Sequence, residues 1–258
     1  MRALLTQRLH ASATTLQLLH LAEMVAALIT RAQEGQVGYR EFLDLVLEEA
    51  LGVREGRRFK HALKRAGLPY HQTLDGCDCA FQPDLDVVRI KELATRRFVE
   101  QKGNAIFLGP PGTGKTHLAV ALALAACQRG FSISFTTLDD LVQQLKTAES
   151  RNQLQHKRKT SLKPALLVID EVGDLPLNRV EAHDLFQVIC RRYERGRVIV
   201  TSHKAFSEWA ALWGDAVLAA AILDRLLHHA EVLPMNGPSS RLQDRLTVGR
   251  VGSMARTS

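Results

Sequence analysis

Gly109-Pro110-Pro111-Gly112-Thr113-Gly114-Lys115-Thr116 is the stretch that decides how the rest of the chain is read. It fits G-x-x-x-x-G-K-[ST], a loop whose backbone N–H groups cradle phosphates while its lysine reaches the terminal ones. Residues 104–108 before it form an apolar run of strand length, and residues 117–129 after it are apolar enough for a buried helix. Strand, glycine-rich turn and helix in that order aim the unpaired N–H groups of the helix start at an anion. Gly109, Pro110, Pro111, Gly112, Thr113, Gly114, Lys115 and Thr116, with His117 directly after them, are therefore the candidate nucleotide contacts.

Leu166-Leu167-Val168-Ile169-Asp170-Glu171 is the second informative stretch. An unbroken apolar run ending in two acids suits a strand of a parallel sheet covered on both faces, with the acids at its carboxyl end. There Asp170 comes beside the phosphate loop and can hold Mg2+ together with the Thr116 hydroxyl. Glu171, one residue on, is placed to polarise the water that attacks a γ-phosphate. Further strands are expected at 131–136, 198–201 and 231–235, and helices at 138–147, 180–194 and across 206–229. That alternation implies a parallel α/β sheet. No Asn-Lys-x-Asp run for guanine and no Ser-Gly-Gly run of transport ATPases is found, which leaves ATP as the preferred nucleotide.

Charge that develops during phosphoryl transfer calls for arginine or lysine downstream, reaching in some proteins into a neighbouring subunit. Arg225, on the apolar run Ala221-Ile222-Leu223-Asp224-Arg225-Leu226-Leu227, is one candidate. A salt bridge with Asp224 or Asp215 is its plainer alternative. Arg241, after the turn-like Gly237-Pro238-Ser239-Ser240, is the other.

Upstream, Leu18, Leu21, Val25, Leu28 and Ile29 recur at helical spacing until Gly35 and Gly38 break the pattern. Tyr39, Phe42, Leu43, Val46, Leu47 and Ala50 then describe an amphipathic helix expected to end at Gly52. A third helix, 54–66, carries Arg57, Arg58, Lys60, Lys64 and Arg65 against the single acid Glu55 and stops at Gly67 and Pro69. Its basic face is either merely solvated or a contact to the phosphates of double-stranded DNA. Residues 69–85 read as a linker and 85–100 as a helix leading into the first strand. Residues 151–163, an acid-free loop with Lys157, Arg158 and Lys159, admit the same two readings as the third helix. Residues 1–14 and 248–258 are expected to fray.

Composition sets outer bounds. The 258 residues can hold one large domain, or a large and a small one. A net charge of +7 and a pI near 9.5 point to an acidic partner or to a merely basic enzyme. Cys127 and Cys190 lie in apolar helical surroundings, and Cys77 and Cys79 form a lone C-x-C without a second zinc pair. That usage fits a reducing cytoplasm. No signal-peptide layout and no apolar run near 18 residues is seen, so a soluble cytoplasmic protein without membrane contact is expected.

The runs LGPPGTGKTHLAVALA, LLVIDEVGDLPL, LFQVICRRYERG, AFSEWAALWGD and LAAAILDRLLHH together resemble the IstB family. These are AAA+ helper ATPases that accompany a bacterial insertion-sequence transposase, similar to DnaC-type loaders of the replicative helicase. The resemblance spans roughly residues 15–246, and its last three runs are more specific than the phosphate loop. It implies an α/β AAA+ P-loop fold with a five-stranded parallel sheet of order 5-1-4-3-2 behind a small all-α module. The implied boundaries are a helical DNA-binding module at 1–68, a linker at 69–85, an AAA+ ATPase domain at 86–248 and a flexible tail at 249–258. By position, Gly112, Gly114, Lys115 and Thr116 would hold ATP and Mg2+, and Asp170 and Glu171 would be the Walker B pair. Arg225 would be an arginine finger acting on a neighbouring copy, and Arg241 the sensor-2 arginine.

By the same resemblance, ATP-bound copies would assemble as a homo-oligomer on double-stranded DNA and recruit and stimulate a transposase. The ATPase would be slow and stimulated by DNA. The alternatives are a replicative helicase loader and an ATP-switched DNA-binding scaffold with little turnover. Three positions depart from the family. Thr201-Ser202-His203 replaces Thr-Ser-Asn at sensor 1, and His203 can still donate to the attacking water or the γ-phosphate. Cys77-Asp78-Cys79 replaces Phe-Asp-Phe, and Ser240 replaces the tyrosine before Arg241, close to the end of the chain.

Overall fold

A computed structural model describes residues 2–74, 86–100, 103–193 and 195–237. The chain divides into two compact units, 1–61 and 62–258.

The first unit holds α1 (Arg2–Thr15), α2 (Leu19–Glu34) and most of α3 (Tyr39–Ala66). The segment expected to fray is thus helical over α1. α1 and α2 pack on each other across a turn at Gln17, and His20 Nε2 lies 2.9 Å from Glu49 Oε1, tying α2 to α3. The unit buries little: Ala13 and Ala22 are inside, while Leu4, Leu5, Leu43, Leu47 and Leu51 stand exposed. The expected break at Gly52 does not occur, and α3 runs unbroken for 28 residues. A glycine inside a helix costs only about 1 kcal/mol. Neither neighbour, Leu51 or Val53, is a residue that could cap a new helix start, so the hydrogen-bond ladder simply continues.

In the second unit α3 stops at Gly67, in the left-handed region at φ 70°. Then come α4 (Val87–Leu93), α5 (Arg96–Glu100), β1 (Asn104–Leu108), α6 (Lys115–Gln128), β2 (Ile133–Thr137), α7 (Leu138–Ser150), α8 (Leu154–Leu162), β3 (Leu166–Asp170), α9 (Arg179–Arg192), β4 (Arg197–Ser202), α10 (Phe206–Leu212), α11 (Ala216–Leu227) and β5 (Ala230–Pro234). The single helix expected over 85–100 is two short ones. Asp86 caps the first, and at its end the Thr95 hydroxyl turns back onto the Glu92 carbonyl at 2.6 Å. The stretch 151–163, expected as a loop, contains α8 instead. Its Leu, Gln, Lys and Arg residues are good helix formers even without an apolar stripe.

All strand pairs are parallel, in the order β2-β3-β4-β1-β5, which is the expected 5-1-4-3-2 read from the other edge. Ile106 of β1 pairs with Val200 on one side and Val232 on the other. β3 and β4 are buried along their whole length, as strands covered on both faces must be. α6 is buried from Leu118 to Cys127 on every side, which makes it the central helix against the sheet. Truncating Leu122 there should cost about 2–5 kcal/mol. The packing fixes the carboxyl ends of β1, β3 and β4 side by side, and these ends carry the site.

Candidate functional site

At the end of β1 the chain passes between its two neighbours. Gly109 N donates to Ser202 O at 3.2 Å, and Met235 N donates to Leu108 O at 2.7 Å. Gly109 has φ 153°, and a Cβ there would stand 2.1 Å from Met235 O, so only glycine fits. Gly114, at φ 89°, leads directly into α6, whose first turn carries no acid. No acidic side chain of the helix itself thus opposes the partial positive charge of its start. The Lys115 ammonium lies inside the curve of the loop and donates to Gly109 O at 2.8 Å and Pro110 O at 2.7 Å. Thr113 Oγ1 also donates to Pro110 O, at 2.9 Å. Backbone and side chain thus shape a cationic concavity for phosphates.

Across this loop Thr116 Oγ1 donates to Asp170 Oδ1 at 3.0 Å. The same carboxylate oxygen accepts a second hydrogen bond from Thr201 Oγ1, at the end of β4. Thr201 Oγ1 in turn accepts from Glu171 N at 3.1 Å, and Thr201 O accepts from Val172 N at 2.9 Å. One buried hydroxyl therefore ties both acids to the neighbouring strand. Glu171 sits just past β3 at φ 59°, with its side chain exposed. In the sequence Thr201 appears only as the first residue of the Thr201-Ser202-His203 triplet, with no role of its own. Its role becomes visible only when sheet order places β4 beside β3.

The Asp170 carboxylate and the Thr116 hydroxyl are hard oxygen donors side by side. They fit Mg2+, which typically takes one or two carboxylates, substrate phosphates and water rather than an all-protein cage. The described residues contain no group of three or more His, Cys, Asp or Glu side chains placed to hold a metal ion.

Two further side chains flank the loop. His117 Nδ1 lies 3.0 Å from Tyr70 OH, with the rings 4.7 Å apart, so a tyrosine from the segment after α3 covers the start of α6. His203 Nδ1 lies 2.6 Å from Asp174 Oδ1. The turn that carries His203 is anchored by Ser202 Oγ, which accepts from Trp209 Nε1 at 3.2 Å and from Lys204 N at 3.0 Å. Trp209 comes from the AFSEW run and is fully buried, so that run fastens the end of β4.

Arg225 lies elsewhere. It lines a cavity of about 270 Å³ with Asn104, Arg192, Tyr193, Gly196 and His228, at the amino ends of β1 and β4. Its guanidinium carbon stands 5.5 Å from the Phe186 ring centroid and 5.9 Å from that of Tyr193. Of its two possible acidic partners only Asp224 is near, at 3.8 Å, because Asp215 caps α11 and meets Arg179. Beside it, burial pushes the Cys190 thiol pKa up, partly opposed by the Arg225 charge. Arg192 is buried and donates to Pro164 O at 3.1 Å and to Arg197 O at 2.7 Å. Burial first, then the Arg197 charge, lowers its pKa to about 10, so it stays charged at neutral pH.

Among the basic candidates, Arg57, Arg58, Lys60, Lys64 and Arg65 are all exposed along α3. On α8 Lys159 is exposed and Lys157 half-buried, and the side chain of Arg158 lies outside what is described. Arg241, Ser240, Cys77 and Cys79 likewise lie outside the described residues. No described helix is long and apolar enough to cross a membrane.

The model of the IstB-like ATP binding protein family matches residues 11–248. A relative from Geobacillus stearothermophilus, named as an ATP-binding protein of insertion sequence IS5376, is 43% identical over 239 residues, covering 93% of this chain and 95% of its own. Among solved structures, AMPPCP-bound DnaA from Aquifex aeolicus is similar at a TM-score of 0.56 and 19% identity, over 66% of this chain and 51% of that one. A crystal structure of the DnaC helicase loader is similar at a TM-score of 0.50 and 24% identity, over 66% of this chain and 96% of that one. At such identities the two structures speak for the fold alone, an α/β sheet arrangement shared with AAA+ proteins. The phosphate loop, the sheet order and the family match agree, and the chain belongs to the IstB-like ATP-binding family.

Proposed function

We propose that the chain hydrolyses ATP and uses the nucleotide to act on double-stranded DNA as a helper of transposition. The observation that carries the hydrolysis reading is the hydroxyl–carboxylate set at the loop. Asp170 Oδ1 accepts from Thr116 and Thr201, and the same Thr201 holds the backbone of Glu171. The N–H groups of the loop and the Lys115 ammonium bind the β- and γ-phosphates. Thr116 and Asp170 hold Mg2+, which, when bound, neutralises charge building on the phosphate oxygens. Glu171 orients the attacking water, and His203, following the anchored Ser202, meets that water or the γ-phosphate. Arg225 lies at the opposite end of the sheet from its own loop, so it serves the site of a neighbouring copy. Turnover at one site then depends on assembly of at least two chains. Arg241 completes the phosphate contacts as the sensor-2 arginine.

The DNA part rests on the basic face of α3, on Lys157, Arg158 and Lys159, and on the net charge of +7. The relative named for an insertion sequence supports transposition as the setting and a transposase as the protein partner. Phosphate release measured with and without duplex DNA tests the reading. Release that duplex DNA stimulates is expected, and binding without release in either condition leaves only an ATP-switched scaffold. A second reading is a helicase loader, which would use the same phosphate loop and acids. Affinity capture in the presence of ATP separates the two: a transposase supports the first, and a hexameric helicase without a transposase supports the second.

A further inference from the structure

The segment after β3 is stitched to the end of β4 at two levels. Thr201 holds the backbone of Glu171 and Val172, and just past the end of β4 His203 meets Asp174. Between them Gly173, at φ 94°, lies so close that a Cβ would stand 3.1 Å from Trp209 Nε1 and 3.2 Å from Lys204 Cβ. Asp174 N also closes a turn onto Glu171 O at 3.4 Å. The backbone that carries Asp174 is therefore held against the turn of His203 by the close approach of Gly173 and by the turn onto Glu171 O, while the Asp174 side chain itself stands exposed. Of the other charged groups nearby, Lys204 Nζ meets Glu208 Oε1 at 3.3 Å, and Glu208 is close enough to His203 to interact with it electrostatically without a direct bond. The carboxylate of Asp174 is left to the imidazole.

An ionised carboxylate only accepts, so Nδ1 of His203 must be the donor in this pair. Which imidazole nitrogen carries the proton is set by the bond the other makes. With Nδ1–H given to Asp174, the neutral ring presents a lone pair at Nε2 and nothing else. We propose that Asp174 is a positioning residue that fixes the ring and tautomer of His203, so that Nε2 accepts a hydrogen bond from the water that attacks ATP. His203 then shares with Glu171 the orientation of that water, a task an asparagine amide would do through its donor side. The inference rests on the hydrolysis reading above.

A double-mutant cycle on the full chain with duplex DNA and saturating ATP tests it. The four proteins are unaltered, Asp174→Asn, His203→Asn and the double variant. Asp174→Asn should lower kcat about tenfold, a coupling of ordinary size for contacting residues. In the His203→Asn background the same change should alter kcat less than about twofold. The affinity for a fluorescent ATP analogue and the melting temperature should stay level across the four, which excludes misfolding as the cause. Equal losses in both backgrounds, or an unchanged kcat in Asp174→Asn, overturn the assignment of Asp174 while leaving hydrolysis standing. An unaltered chain that binds the analogue but releases no phosphate overturns both.

Discussion

The two ends of the sheet are built by different means. At the carboxyl ends of the strands, the phosphate loop and the two acids are held by hydrogen bonds: Lys115 to two loop carbonyls, and Asp170 and Glu171 to Thr201. At the amino ends of β1 and β4, Arg225 lies over the faces of Phe186 and Tyr193, with a hydrogen bond of 3.4 Å to Ala221 O on its own helix and a long ion pair to Asp224. A strand of five residues spans about 16 Å, and that length of sheet separates the two groups within one chain. A rigid bonded end suits binding and placing phosphates. A cationic end held by aromatic faces suits a group that has to meet a partner's substrate.

Substitutions at the two ends should therefore fail in different ways. Arg225→Ala should cut turnover on the order of 10³-fold while leaving ATP affinity unchanged, as for an arginine supplied in trans. Mixing it with a Glu171→Gln variant should restore part of the phosphate release, because one intact composite site forms. If the mixture stays inert, the two-ended site is wrong. Lys115→Ala comes next in size and strikes the other end. Removing a charged hydrogen-bond donor from the loop should weaken ATP binding on the order of 100-fold, and turnover and ATP-dependent assembly on DNA should go with it. Equilibrium binding of a fluorescent ATP analogue reads the effect, and affinity left intact would remove the phosphate-loop assignment.

Thr201→Val asks what the hydrogen-bonded end gains from its central hydroxyl. The variant keeps the shape but deprives Asp170 of a donor and the Glu171 N–H of an acceptor. An unmet buried group costs about 1–3 kcal/mol, so kcat should fall roughly tenfold, and Thr201→Ser should recover most of it. The same loss in both variants would mean that the methyl packing, not the hydroxyl, matters.

The contrast between the ends also explains what could be read from the sequence. The phosphate loop, β1, β3 and the central helix were legible because each is a contiguous run whose chemistry is local. Asp170 and Glu171 were legible from their place at a strand end. Thr201, Tyr70 and Asp174 were not, since each gains meaning only from a partner on a distant segment: Asp170, His117 and His203. Arg225 stands out in the sequence as an arginine on an apolar helix, but nothing there links it to Phe186 on α9 or to Tyr193 at its end. The misreadings of α3 and α8 have a common cause. Gly52 weighs as a breaker in the sequence although it costs a long helix little, and residues 151–163 read as a loop although their residue types are good helix formers.

The smallest of the expected effects concerns the packed end alone. Tyr193 presents its ring to Arg225 at 5.9 Å and its hydroxyl to His228 Nδ1 at 2.9 Å. Tyr193→Leu removes both, whereas Tyr193→Phe keeps the ring and loses only the hydroxyl. A cation–π contact at a partly exposed site is worth about 0.5–1 kcal/mol, which corresponds to a two- to fivefold slower turnover for Tyr193→Leu. Tyr193→Phe should stay near the unaltered rate if the ring is what holds the arginine. ATP affinity should be the same in both, because neither touches the carboxyl end. A leucine variant slowed only as much as the phenylalanine one would shift the task of holding Arg225 to Phe186 and the Asp224 pair. A leucine variant that also lost ATP affinity would show that the two ends of the sheet are coupled within one chain.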